Sequence, residues 1–153
     1  MEPVFKLASV SNIDTLIDLM SEFYVDQCLH FDKKVANSAL SLILSNQSYG
    51  QIYLIYINEK VIGYLVVTFG FSLEYRGRDA FIDELYIQEQ YRRQGIGKKA
   101  LQLAEKICRE QGIQAVHLEV ERENTHARSL YGKVGFTNRD RYLLTKWLDP
   151  GES

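Results

Sequence analysis

Two cysteines and two prolines are all that this 153-residue sequence holds of either type. Cys28 and Cys108 lie far apart with no CxxC or metal-ligand spacing, which excludes a disulfide framework and reads as two reduced, partly buried thiols. Pro3 and Pro150 sit near the ends, so no proline-rich linker interrupts the chain, and one domain over residues 1–153 is expected. No run approaches the roughly eighteen apolar residues of a membrane span. No basic n-region followed by an apolar h-region opens the chain. These absences predict a cytoplasmic protein with no membrane partner. A net charge of −2 speaks against a protein built to coat nucleic acid. The three histidines, His30, His117 and His126, lack metal spacing; they read as structural or surface residues, and no metal is expected.

What is present is regular patterning. Phe5 to Val10 alternates and predicts a short strand. Ser11-Asn12-Ile13-Asp14 offers cap residues ahead of Ile13, Leu16, Ile17, Met20 and Phe23/Tyr24, which recur at helical spacing. A second helix is expected over Lys33 to Leu44. Gln51 to Ile57 and Val61 to Phe71 read as strands of an antiparallel hairpin turned at Asn58-Glu59-Lys60. A third strand covers Ala80 to Ile87. Gly95 to Gln111 is an amphipathic helix stopped by Gly112. Ala115 to Val120 is a strand, Thr125 to Val134 a short helix ended by Gly135, and Tyr142 to Leu148 a last strand. The order β-α-α-β-β-β-α-β-α-β contains one βαβ crossover, whose strands should be parallel and right-handed. The fold class is therefore α/β with a mixed central sheet and helices on both faces.

The most informative segment runs from Asp83 to Ala100, an apolar strand leading through a basic loop into the longest helix. Gly95-Ile96-Gly97-Lys98-Lys99-Ala100 matches GxGxxA, and Glu119 lies about where a ribose-binding carboxylate would stand. In a dinucleotide fold, however, the first glycine ends the strand directly. Here Gln88 to Gln94 intervene, and too little chain follows for a doubly wound sheet. GxxxxGK[ST] is absent. Arg92-Arg93-Gln94-Gly95-Ile96-Gly97 fits (Arg/Gln)-x-x-Gly-x-(Gly/Ala) instead. The two glycines let backbone amides curl around a diphosphate, the helix dipole adds partial positive charge, and Arg92, Arg93 and Lys98 add full charges. A solvated basic turn is the plain alternative. A nucleic-acid patch is disfavoured by Asp79, Asp83, Glu84 and Glu89, which flank the cluster.

Further on, His117-Leu118-Glu119-Val120, then Asn124, Ala127, Leu130-Tyr131 and Gly135-Phe136 form a second pattern. Together the two segments resemble the signatures of the GCN5-related N-acetyltransferase (GNAT) superfamily. The resemblance implies the acyl-CoA N-acyltransferase fold, acetyl-CoA as co-substrate, and direct attack by an amine in a ternary complex. It also implies that Leu85, Tyr86 and Ile87 pair with the pantetheine arm, that Arg92 to Lys98 (Arg92, Arg93, Gln94, Gly95, Ile96, Gly97, Lys98) hold the pyrophosphate, that Asn124 binds near the pantetheine or the thioester, and that Ala127 and Leu130 line the arm. Tyr131 would be the acid that protonates the departing sulfur. Glu84 is the first choice of base, through water, then Asp83, then Glu119; adjacent Asp83 and Glu84 point to opposite faces unless a bulge intervenes. Glu22, Asp26, Asp32, Glu74, Asp83 and Glu84, with Tyr24, Phe31, Phe71 and Tyr75, would surround the acceptor and favour a small cationic amine. Scattered surface acids and core aromatics are the plain reading of that set. A non-catalytic CoA-binding module and a protein N-terminal or lysine acetyltransferase stay open as alternatives. Family analogy and the aromatic residues from Phe136 to Trp147 also allow a homodimer.

Overall fold

A computed structural model describes residues 2–149. The chain divides into two compact units, residues 1–120 and 121–153. The first is a five-stranded sheet in the order β1-β2-β3-β4-β5, built from Val4–Leu7, Gly50–Ile57, Lys60–Ser72, Gly77–Ile87 and Ala115–His117. The first three pairings are antiparallel, and β4 pairs β5 in parallel. Helices α1 (Ile13–Asp26) and α2 (Lys33–Ser45) connect β1 to β2, and α3 (Ile96–Glu110) makes the crossover from β4 to β5.

The helices take opposite faces because each strand alternates. Leu16, Ile17 and Leu19 of α1 and Ala36 and Leu40 of α2 pack on Ile52, Leu54, Tyr64, Val66 and Tyr86. Ile96 of α3 packs on Ile55, Ile57 and Ile62, with Leu85 and Ile87 beside them. Burying both faces makes β3 apolar almost throughout. The β2–β3 hairpin turns on Asn58 and Glu59, both left-handed with φ of 48° and 67°, as a two-residue turn with matching twist requires. At Gly63 a Cβ would lie 2.1 Å from the Tyr86 carbonyl oxygen, so β3 and β4 can approach there only with glycine.

One irregularity organises β4. Val66 pairs Glu84 but Val67 pairs Ile82, so Asp83 is an extra residue, a bulge. Before it, Asp79 and Phe81 alternate with Ala80 and Ile82. After it, Glu84 and Tyr86 alternate with Leu85 and Ile87. The bulge reverses the phase, so Asp79, Phe81, Glu84 and Tyr86 all lie on the α1/α2 face.

Pairing between β4 and β5 ends at Phe81↔His117, and β5 stops at His117 rather than continuing to Val120. The second unit contains α4 (Thr125–Lys133). Among the described residues no strand follows it, which corrects the expected strand over Tyr142 to Leu148. A strand exists only through a hydrogen-bonded neighbour, and this segment has none; Tyr142, Leu144 and Leu148 are 81%, 89% and 93% exposed.

Candidate active site

The basic loop leaves β4 through a short 3-10 turn, Glu89–Tyr91, and enters α3 at Gly95. Arg93 and Gly95 have positive φ, 64° and 79°. Gly95, left-handed, leads directly into the right-handed first turn of α3, and such a change of hand turns successive amides to one side, as in an anion-binding nest. No side chain caps the α3 N-terminus, and open space surrounds the position of a Gly95 Cβ. The first-turn N–H groups are therefore available to a ligand. Arg93, Gln94 and Lys98 are exposed around them.

Arg92 is placed otherwise than the motif suggests. Its Nε donates to the Ile87 carbonyl at 2.7 Å, its Nη2 pairs with Asp26 at 2.8 Å, and its guanidinium lies over the Tyr86 ring. The side chain ties the loop to the end of α1, and the Arg92 amide donates to the Glu89 carbonyl at 3.2 Å, so the free amides of the loop begin after it.

Glu84 lies half-buried at the middle of the α1/α2 face. Tyr24 of α1 donates to its Oε2 at 2.6 Å and Tyr64 of β3 to its Oε1 at 2.7 Å. Burial raises the Glu84 carboxyl above the ordinary carboxylate range, and the two phenols only partly oppose this. Asp83, at the bulge, is also shifted upward by desolvation. Burial and the neighbouring carboxylate push both phenols well up, so Tyr24 and Tyr64 stay neutral donors. Tyr86 donates to Glu22 at 2.8 Å, with Gln88 Nε2 on the same oxygen at 3.2 Å. Phe23 contacts Tyr24, Tyr64 and Tyr86 edge-on or tilted, and Tyr24 meets Phe31 at 5.3 Å. The result is an aromatic wall with carboxylates set into it.

The Asp32 carboxyl caps α2, accepting from the Lys34 and Val35 amides. Phe71 is 70% exposed. Tyr75 meets His117 edge-on with centroids 4.4 Å apart. His117, which the sequence presents as a structural or surface residue, has its Nε2 3.0 Å from Asp79 Oδ2, and Asp79 is the one buried charged residue among those described. No spacing signal announces this pair, because 38 residues separate its members.

Within the second unit, Asn124 Oδ1 accepts the Ala127 amide at 3.1 Å and caps α4. Tyr131 packs edge-on to Phe136, and burial raises its phenol. Ala127 and Leu130 are half-buried on the same helix.

A family model described as Acetyltransferase (GNAT) family matches residues 13–136. The chain belongs to this family. Among solved structures, an integron cassette protein from the mobile metagenome of Cole Harbour Salt Marsh is 31% identical, with a TM-score of 0.85 over 95% of this chain and 91% of that one. A spermidine N(1)-acetyltransferase from Thermoplasma acidophilum is 28% identical over 92% of this chain and 84% of its own length. A thialysine N-epsilon-acetyltransferase from Bos taurus is 31% identical over 75 residues, 49% of this chain. The matched segment spans 44% of that bovine protein, so the chain covers about half the length of such a curated relative. The GNAT expectation from the two sequence segments is met, and so is the mixed α/β sheet. No helix among the described residues is long and apolar enough to cross a membrane, and no group of metal-ligating side chains gathers among them.

Proposed function

We propose that this GNAT protein moves the acetyl group of acetyl-CoA to a primary amine of a small cationic molecule, by direct attack in a ternary complex. The observation that carries the proposal is Glu84, a half-buried carboxylate in an aromatic wall on the same strand that leads into the anion nest. A cationic amine is attracted by Glu84, Glu22 and Asp83 and by the faces of the surrounding rings. Relatives bearing the names of spermidine and thialysine acetyltransferases support the substrate class.

The residues fit acetyl-CoA. Bare amides at Arg93 to Gly97 suit a pyrophosphate, and Arg93 and Lys98 add charge. Leu85, Tyr86 and Ile87 lie beyond the last β4–β5 pair, so their outer backbone groups on that side can take the amides of the pantetheine arm. An N–H of that strand would hold the thioester oxygen as charge develops. CoA supplies a thioester, an acyl group on a good leaving group. The protein holds it, brings the amine, and manages protons. Glu84 takes the first proton from the ammonium, through water, and its raised affinity for protons makes it a better base than an exposed carboxylate. Asp83, then Glu119, are the alternative carboxylates for this role. Tyr131, kept neutral by burial, donates to the sulfur. Asn124, Ala127 and Leu130 would contact the arm.

The test is a melting-temperature shift with CoA, followed by an amine panel scored by thiol release. Thiol release with diamines or polyamines, and little with anionic amines, is the expected result. Binding of CoA with no thiol release from any amine would instead indicate a binding module. Release only with peptides would indicate a protein acetyltransferase.

A further inference from the structure

His117 and Asp79 stand where β4 and β5 part. Phe81↔His117 is the last pair, and beyond it the β4 edge is open toward Ile87. His117 is thus at the vertex of the opening, on the face that carries Glu84. Its neighbours there are Phe81, with ring centroids 5.0 Å apart, Tyr75 edge-on, and Asp79 on Nε2. Among the described residues, the titratable groups in contact with it are Asp79 and Tyr75. The side chains of His117 and Asp79 are 18% and 12% exposed.

Orientation follows from this geometry. A carboxylate accepts only from an N–H, so the Nε2 hydrogen of His117 faces Asp79, and Nδ1 is the ring nitrogen left to take a proton. Glycine at 70 leaves room for Asp79, whose Oδ1 lies 2.9 Å from the position a Gly70 Cβ would take. Phe81 and Glu84 are three residues apart in a strand with a bulge. At about 3.3 Å per residue, His117 and Glu84 bracket a gap of roughly 10 Å or less, enough for an amine and a thioester carbon.

We propose that His117, oriented by Asp79, is a second proton acceptor of the transfer. The proposal rests on the reaction assigned above. An ammonium must lose two protons to become an amide. Glu84 takes the first. The freed nitrogen pair forms the C–N bond to the thioester carbonyl carbon, and the nitrogen becomes cationic again. His117 Nδ1 takes this second proton, and Asp79 stabilises the imidazolium. The C–S bond then breaks with its electron pair on sulfur, which receives a proton from Tyr131. Glu84 and His117 return their protons to water and Tyr131 regains one. Ammonium and thioester thus yield amide, thiol and one net proton.

The test compares wild type, His117→Gln and His117→Ala in thiol release with the best amine of the panel. Glutamine keeps an N–H for Asp79 and has no basic nitrogen, so it should fold. Its turnover should fall on the order of 100-fold, a usual contribution of a general base. The melting shift with CoA should stay at the wild-type value. Added imidazole should restore His117→Ala by tenfold or more and leave wild type unchanged. Unchanged turnover in His117→Gln overturns the assignment. So does a fall that imidazole fails to restore in a folded His117→Ala protein, since a packing role answers to no added base. Absence of thiol release in wild type fails the parent reaction instead, and this role falls with it.

Discussion

Tyr24 of α1 donates its phenolic proton to Glu84 of β4 across 2.6 Å, binding the first helix to that strand at the point where the amine is proposed to arrive. With Tyr64 on the other oxygen, the carboxylate accepts one bond at each end. Its two donors are neutral, so it stays partly compensated and ready for a cation.

Glu84→Gln should reduce turnover on the order of 100-fold or more and leave the melting shift with CoA intact. It also carries a stability signature. Burial raises the folded-state affinity of Glu84 for its proton above that of the unfolded chain. Between those two values the folded state holds the extra proton, so this group's contribution is present at low pH and fades as pH rises through the raised value. Relative to wild type, the glutamine variant should therefore gain in melting temperature from pH 4 to pH 7. A constant difference across that range would contradict the assignment.

Tyr64→Phe removes one of the two bonds that lower the Glu84 carboxyl. The acid limb of the kcat/KM profile should move to higher pH. Stability should fall by about 1–3 kcal/mol, because one buried carboxylate oxygen loses its donor. A limb that moves down or stays fixed would show that Glu84 is not the group titrating.

Gly95→Val tests the nest. Nothing lies within 4 Å of the added Cβ, so the cost is conformational, from φ of 79°. That cost is about 1–2 kcal/mol for a residue with a side chain, and more when branched. The larger effect should fall on CoA, with at least tenfold weaker binding by calorimetry while the amine KM changes little.

Tyr131→Phe should lower turnover about tenfold or more at constant KM for acetyl-CoA. An acceptor panel with amines of falling basicity should show the same loss, since the acid serves the leaving sulfur. Equal turnover would remove Tyr131 from the mechanism.

How much of this was legible in the sequence depends on reach along the chain. The strand–loop–helix from Asp83 to Ala100 could be read directly, because nest, glycines and helix start are local and each residue's role depends on its neighbours. The helices α1, α2, α3 and α4 could be read for the same reason, from periodicity and from Gly112 and Gly135 at their ends. The segment Tyr142 to Leu148 could not. Its apolar residues suggest a strand, but strand identity rests on a partner. Arg92 also escaped the motif: its backbone belongs to the loop, yet its side chain answers to Asp26 and the Ile87 carbonyl.

The sequence by itself determined the order of elements from β1 to α4, the amphipathic faces and the bare amides ahead of α3, all set by spacing, propensity and the φ freedom of glycine. The tertiary structure alone decided which face each β4 carboxyl takes and which partners it meets. A single extra residue at Asp83 carries Glu84 to the side of Asp79 and Phe81, and register between β4 and β5 brings His117 onto Asp79. Both depend on the pairing of strands distant along the chain. A one-residue difference in register reverses every side chain, and a periodic pattern does not record it.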